Sequence, residues 1–145
     1  MPSAFDVSHY LLTLQDDDAG DLISNLKLQK LLYYAQGLYL AMNEEALFPE
    51  KIYAWKHGPV VPDMYHFFKT YGANPIPKPN NFNFSVLNEN QTEFLNEVYQ
   101  VFGQFSAWKL RNMTHEEPPY KMAEASAGEI TLGSMADYFK TYLTK

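Results

Sequence analysis

The chain has 145 residues, of which 46% are hydrophobic and 19% charged; this is enough apolar material for the core of one globular domain and excludes low-complexity disorder. Its 11 basic side chains against 17 acidic ones give a formal net charge of −6, which argues against binding to nucleic acid or an anionic membrane, because phosphate recognition needs clustered lysine and arginine. The sequence contains no cysteine, and this excludes disulfides, thiolate metal sites and cysteine nucleophiles.

The sequence also lacks signals for membrane insertion and export. No apolar run approaches the roughly 20 residues that span a bilayer, and residues 1–6 have neither the basic nor the apolar part of a signal peptide. We therefore expect one domain over residues 1–145 that works in the cytoplasm and contacts neither a membrane nor nucleic acid directly.

The first predicted helix covers about residues 4–15, where apolar side chains recur on neighbouring helical rows and Ser3 is a suitable N-cap. An acidic run that contains a glycine, residues 16–21, then ends the helix. Its carboxylates could in principle bind Ca²⁺, but no glutamate follows at the spacing of an EF-hand loop. We interpret the run as a solvated turn and predict no metal there.

The clearest predicted element is a helix over residues 24–42, with Ser24 as its N-cap. One face repeats apolar residues at helical spacing: Leu28, Leu31, Leu32, Ala35, Leu38, Tyr39 and Met42. A second stripe, typical of a central helix that packs on more than one side, contains Gln29, Tyr33, Gln36 and Leu40. Lys27 and Lys30 lie between the stripes, where we expect their stems on apolar surface and their charges in water.

A short strand and a long irregular segment follow the central helix. Residues 51–57 alternate as in a strand, Gly58-Pro59 is expected to end it, and Pro62 is placed to begin a third helix. Proline and asparagine are frequent over residues 73–88, which we interpret as an irregular surface loop within one domain.

Most of the remainder of the chain is predicted to be helical, with an extended stretch at Ile130 and Leu132 after Gly128. The predicted helices cover about residues 90–102, 106–115, 118–125 and 134–142. Aromatic residues at helical spacing are assigned to the core, namely Phe67, Phe68, Phe94 and Phe139. The predicted fold is mainly α, a compact single domain of about six to seven helices around the central helix at 24–42, with at most a short β-ribbon at about 51–57.

The sequence carries no recognisable catalytic motif. It has no Gly-rich phosphate loop and no G-x-S-x-G sequence, and its four histidines are not spaced as ligands on one helix. His57, His115 and the glutamates after His115 would form a 2-His-1-carboxylate set only if the fold brought them together. We therefore predict no enzyme activity, no metal and no cofactor, with a metal-dependent hydrolase of unknown substrate as an alternative.

Two stretches instead combine tryptophan, histidine and lysine with rigid neighbours. Residues 54–62 contain Trp55, Lys56 and His57 before two prolines, and residues 108–116 begin with Trp108. The tryptophans could fill the core and the histidines could cap helix ends. Equally, rigid loops that present such side chains suit contact with another protein, because little entropy is lost on binding. The residues alone leave both interpretations open.

Three separated motifs together resemble the signature of the Panacea domain, a family that includes the SocA-type antitoxins and was long a phage-associated domain of unknown function. The motifs are NLKLQKLLYYAQG at 25–37, AWKHGPVVP at 54–62, and SAW at 106–108 followed by Leu110 and Thr114-His115. The resemblance extends over about residues 6–139 with the motifs in the order of the family.

This resemblance implies a mainly α-helical domain that neutralises a toxin, usually encoded beside it, by direct binding. One family member is a proteolytic adaptor, so delivery of a partner to a Clp-type protease is an alternative. The acidic net charge of this chain favours a basic toxin, because opposite charges speed association. The residues predicted to contact the partner are Lys27, Gln29, Lys30, Tyr33, Gln36, Trp55, Lys56, His57, Pro59, Trp108 and His115.

Overall fold

A computed structural model of the chain describes residues 1–16 and 22–143. These residues form seven α-helices: α1 Ala4–Thr13, α2 Asn25–Asn43, α3 Pro62–Phe67, α4 Glu89–Phe102, α5 Ala107–His115, α6 Pro118–Glu124 and α7 Leu132–Leu143. They also form three short strands: β1 Ile52–Trp55, β2 Gly58–Val60 and β3 Glu129–Ile130. The predicted mainly α fold is confirmed, and most of the acidic turn predicted at 16–21 lies outside the described residues.

Helix α2 is the centre of the fold. It packs against α7, α5, α4 and β2, and every residue over 31–40 is buried. Its N-cap is Ser24, whose hydroxyl accepts from the backbone N–H of Lys27. Because neighbours cover the helix on all sides, its second stripe, with Gln29 and Gln36, is internal as well.

The three strands form a small antiparallel sheet in the order β2-β1-β3. Gly58 and Pro59, which were expected to end the ribbon, instead begin β2 after a two-residue turn, and Trp55 pairs with Gly58. Proline is tolerated here because β2 is an edge strand and needs no N–H from that residue. Gly58 has φ +113°, which favours glycine, and a Cβ atom there would lie 2.6 Å from Cε of Lys30.

Buried apolar side chains from all seven helices form the centre of the core together with residues of the sheet, and α3 and α5 contribute one each, Met64 and Leu110. Phe68, Phe94 and Phe139 are buried as predicted. The assignment of Phe67 to the core is wrong, since this side chain is 53% exposed and its ring packs edge-on against that of Phe5, also exposed, at 5.1 Å. Helix α3 is only six residues long and turns the side of Met64 toward the core, which leaves Phe67 at the surface.

The irregular segment predicted at 73–88 has a few fixed points. Ile76 is buried, and its N–H donates to the carbonyl of Ile23 at 2.8 Å. A 3₁₀ turn, Phe84–Val86, precedes Leu87, which is buried. Between these points most residues are exposed.

Within 1–16 and 22–143, no helix is both long enough and apolar enough to cross a lipid bilayer.

Candidate functional site

Two of the three motif stretches meet at a pocket of about 380 Å³. The N-terminal part of α2 forms one wall and the β1–β2 turn forms another, while α3 and the residues after it close the third side. We call this the Lys30 pocket and define it by Gln29, Lys30, Trp55, His57, Tyr65 and Lys69. The predicted residues Gln29, Lys30, Trp55, Lys56 and His57 all line it.

Lys30 is the most unusual side chain of this pocket. It is only 2% exposed, and its Nζ lies 3.5 Å from the carbonyl oxygen of Pro59. Burial, together with the nearby positive charge of Arg111, lowers the pKa of Lys30 to about 7. The expectation that the Lys30 charge reaches water is therefore wrong, because β2 lies across the path that the side chain would take.

Lys27, one turn before Lys30 on α2, has a different environment. It is also buried, which contradicts the expected solvated position, but its Nζ donates to the carbonyl of Gly103 at 2.6 Å. This bond ties α2 to the end of α4. Lys27 is therefore a link between helices and lies outside the lining of the Lys30 pocket.

The amide side chains of the pocket wall are bonded within the protein. Gln29 donates from Nε2 to Oδ1 of Asn25 at 2.9 Å and accepts at Oε1 from the N–H of Val61, also at 2.9 Å. Asn25 in turn donates to the carbonyl of Tyr65 at 3.0 Å. The chain of bonds fixes α2 against the start of α3 and engages both amide side chains, while Lys30, Lys56 and Lys69 are the lysines that line the pocket.

Two side chains that do not line the pocket contact the backbone of the β1–β2 turn. Tyr120 donates its hydroxyl hydrogen to the carbonyl of Trp55, and the ring of His115 lies 3.1 Å from the carbonyl of Lys56. The indole of Trp55 is half-buried and stands edge-on to Tyr65 at 5.4 Å. His115 therefore supports the turn from α5 and does not itself line the pocket.

Lys56 and His57 are the exposed side chains of this turn. Loss of hydration and the positive charges of Arg111 and Lys56 lower the pKa of His57 below its ordinary value. The cationic Lys56 and the imidazole of His57 thus stand at the mouth of a pocket that the buried Lys30 also lines. Pro59, also predicted as a contact residue, is buried beneath them and supplies the carbonyl nearest to Lys30.

Tyr33 and Gln36 follow Gln29 on the same stripe of α2, about one and two turns further along, and lie outside the lining of the pocket. Tyr33 is fully buried and donates to Oε1 of Glu117 at 2.9 Å, while Tyr34 donates to Oε2 of the same carboxyl at 2.8 Å. Gln36 binds the backbone of Leu47 and Phe48. Both side chains have their polar atoms satisfied inside the protein, so the structure separates them from the pocket residues.

Glu117, considered from sequence only as one of the glutamates after His115, is buried and accepts two tyrosine hydroxyls. Burial raises its pKa to about 7, against hydrogen bonds from Tyr34, Tyr33 and Tyr138 that lower it. The signal for it was present in the adjacent Tyr33-Tyr34 pair, since two buried hydroxyls need an acceptor. Only the fold shows which acceptor, more than 80 residues away in sequence, supplies it.

The third motif places Trp108 on the surface. Trp108 is 56% exposed, and the guanidinium of Arg111 stacks on its ring at 4.5 Å from the centroid. Nε of Arg111 is buried and has no hydrogen-bond partner among the described residues. Arg111 was also missed by sequence analysis, although its charge acts on both Lys30 and His57.

A metal site was weighed from sequence on His57, His115 and adjacent glutamates. In the part of the chain that the structure describes, no three histidine, aspartate or glutamate side chains gather in a way that could hold a metal ion.

The sequence of this chain matches a described protein family and part of a curated relative. Residues 28–121, more than half of the chain, match the family described as "Antitoxin SocA-like, Panacea domain". The protein named Antitoxin SocA from Caulobacter vibrioides (strain NA1000 / CB15N) is 48% identical over 54 residues, which are 37% of this chain and 29% of that relative. The match thus covers under a third of the relative's length. No solved structure matches the chain.

Proposed function

This chain belongs to the SocA-like Panacea family, and we propose that it is an antitoxin that neutralises a protein toxin by direct contact at the mouth of the Lys30 pocket. The matched residues 28–121 contain most of α2 and the whole β1–β2 turn. The observation that carries the proposal is the exposed cationic turn beside a pocket with an aromatic wall.

The geometry of the turn favours recognition of another protein. Bonds from Tyr120 and His115 to its carbonyls hold it in place before any partner arrives, so little conformational entropy is lost on binding. Trp55 supplies an aromatic side chain of the kind that is common at the energetic centres of interfaces, and Lys56 and His57 add exposed polar groups beside it.

The proposed contact surface uses part of the predicted set. It includes Lys30, Trp55, Lys56 and His57, with Gln29 and Pro59 as the buried supports of the pocket. Trp108 is exposed and is proposed as an outlying contact. We assign Lys27, Tyr33, Gln36 and His115 to internal support, since their polar atoms bond within the protein.

The overall charge supports a partner that is basic as a whole. Glu89, Glu93 and Glu97 recur at four-residue spacing on α4 and are all exposed, so they form an acidic ridge. Such a ridge would attract a basic toxin at a distance and speed its association. No catalytic step, cofactor or nucleic acid is part of the proposal, and the cytoplasm remains the predicted location.

Co-expression with the protein encoded beside this gene tests the proposal. We expect that protein to arrest growth alone, and the arrest to be relieved by this chain in a purified one-to-one complex. The exposed substitution Lys56→Glu should abolish relief, while Lys51→Glu should preserve it. Lys51 stands at the opposite end of β1, roughly 16 Å away at strand spacing, in a surface ion pair with Glu129.

Three results would contradict direct neutralisation at this surface: a neighbour that is harmless alone, relief without any complex, or relief that survives Lys56→Glu. The level of the neighbouring protein during co-expression separates two mechanisms. A stable level accompanies neutralisation by binding, whereas a fall that requires a Clp-type protease indicates the adaptor mechanism.

A further inference from the structure

The Lys30 pocket has a charge opposite to that of the whole protein. Lys30, Lys56, Lys69 and His57 line it, and none of the described residues that line it is acidic. The chain as a whole has a net charge of −6. The net charge of the chain therefore gives no indication that lysine side chains are concentrated around this one pocket.

The ammonium of Lys30 lacks the partner that buried charges ordinarily have. Lysines are almost never fully buried without an acidic partner, yet among residues 1–16 and 22–143 the ammonium of this one contacts a single carbonyl, at 3.5 Å. An ammonium can donate three hydrogen bonds. Two donor positions thus have no partner among the described residues, beside a pocket that Lys30 lines, whereas the neighbouring amides of Gln29 and Asn25 are bonded to each other and to the backbone.

The walls indicate what kind of anion fits. Trp55, Tyr65, Leu26 and Val60 make them largely apolar, and the volume of about 380 Å³ is at the small end of the range for ligand sites. A bare inorganic ion would leave this apolar surface uncovered. A carboxylate attached to an apolar group would fit the pocket better, because its charge would lie beside Lys30 while the apolar group covered the rings of Trp55 and Tyr65.

We propose that the Lys30 pocket receives a carboxylate of the partner protein, with an adjacent apolar side chain packed against Trp55 and Tyr65. The inference rests on the proposed function, whose binding surface it specifies. A toxin that is basic as a whole still presents an acidic group at this position. The ridge on α4 and the Lys30 pocket thus contact regions of opposite charge on the partner.

The protonation of Lys30 gives this contact a pH dependence. Because the pKa of Lys30 is about 7, this side chain loses its positive charge as the pH rises through neutrality. The binding of a carboxylate should therefore weaken as the pH rises. The groups that face it are Arg111 from α5, Lys56 and His57 from the turn, and Lys69 after α3. The pKa of His57 is lowered below its ordinary value, so the charge that is lost as the pH rises above 7 is that of Lys30 and not that of His57.

A small carboxylate tests the pocket on the isolated protein. We expect phenylacetate at millimolar concentration to shift the NMR signals of the Trp55 indole and the Gly58 amide, and phenylacetamide, its neutral analogue, to leave them unchanged. The affinity should fall about 25-fold between pH 6.5 and pH 8.5, as the charged fraction of Lys30 falls. Lys30→Met should remove binding, and the charge-matched Lys51→Met should keep it. Equal binding of the two probes, or phenylacetate binding by Lys30→Met, would overturn the inference.

The complex with the neighbouring toxin provides the second arm. Lys30→Met should weaken that complex at least about tenfold, as expected when a buried charge pair at an interface loses one member, and Lys51→Met should stay within about threefold of the unmodified chain. An unchanged affinity of Lys30→Met for a toxin that the unmodified chain neutralises overturns the inference and leaves the proposed function intact. If the unmodified chain forms no complex, the proposed function itself has failed.

Discussion

Two buried charged groups lie along the central helix α2, and their surroundings differ sharply. Glu117 accepts hydrogen bonds from Tyr33 and Tyr34 at 2.9 and 2.8 Å. Lys30, on α2 itself, has one carbonyl at 3.5 Å and lines an open pocket. Burial brings the pKa of each group to about 7, from above for the lysine and from below for the carboxyl.

The difference lies in whether each charge has its partners inside the fold. The carboxyl of Glu117 connects α2 to the start of α6, and the aromatic core closes around it. A buried group with all its partners mainly serves the unique packing of the fold. A buried charge without partners lowers stability unless a ligand supplies them, so Lys30 is the group of the two that is available for binding.

The largest expected effect comes from removing the partnered charge. Glu117→Ala leaves two buried tyrosine hydroxyls without an acceptor and creates a cavity, so it should lower the free energy of unfolding by about 3–5 kcal/mol. Chemical denaturation measures this loss. The neighbouring Glu116→Ala is the control, because Glu116 is exposed and its ion pair with Lys121 at 3.6 Å should contribute under about 1 kcal/mol. Equal stability of the two variants would contradict a structural role for Glu117.

The next effect concerns the path of Lys30 beneath the β1–β2 turn. Gly58→Ala places a Cβ atom 2.6 Å from Cε of Lys30 at a residue with φ +113°, and should lower stability by about 2–4 kcal/mol. Gly72→Ala is the matched control, since Gly72 has φ +58° and a Cβ atom there would meet none of the described residues within 4 Å. Shortening the lysine in Gly58→Ala/Lys30→Ala should recover part of the loss, and no recovery would mean that Lys30 does not constrain this turn.

A smaller effect on stability distinguishes the two lysines of α2, because only one of the two substitutions should lower the free energy of unfolding. Lys27→Met loses the bond to the Gly103 carbonyl and should lower stability by about 2 kcal/mol. Lys30→Met removes an unpaired buried charge and should keep or raise stability at pH 7. Equal losses in the two variants, measured by thermal unfolding, would show that both lysines are structural.

The same pair gives a pH dependence with a defined sign. The pKa of Lys30 is lower in the folded chain than its ordinary 10.5, so its contribution to stability is present above pH 10.5 and is lost as the pH falls toward 7. As the pH falls over that window, the unmodified protein should lose up to about 1.4 kcal/mol per pH unit relative to Lys30→Met. Parallel stability curves for the two proteins would mean that Lys30 is not desolvated.

Much of the fold and part of the site could be predicted from sequence. The period of apolar residues in 24–42 identified the central helix, and the resemblance brought the stretches at 25–37 and 54–62 together as one functional group. The burial of Lys30 could not be predicted, because it follows from β2 crossing the helix at Gly58. The roles of Glu117 and Arg111 were missed because their partners lie far away in sequence. The net charge of −6 describes the whole chain and gives no sign of the cationic side chains that line one pocket.

The most direct test of the central claim is the pKa of Lys30 measured in the free chain and in the toxin complex, by NMR titration of its labelled Cε carbon. A carboxylate placed beside the ammonium favours the charged form. We predict a pKa near 7 in the free chain and a rise of at least about one unit in the complex, which corresponds to a tenfold preference for charged Lys30. A pKa that stays the same or falls in the complex would contradict the account.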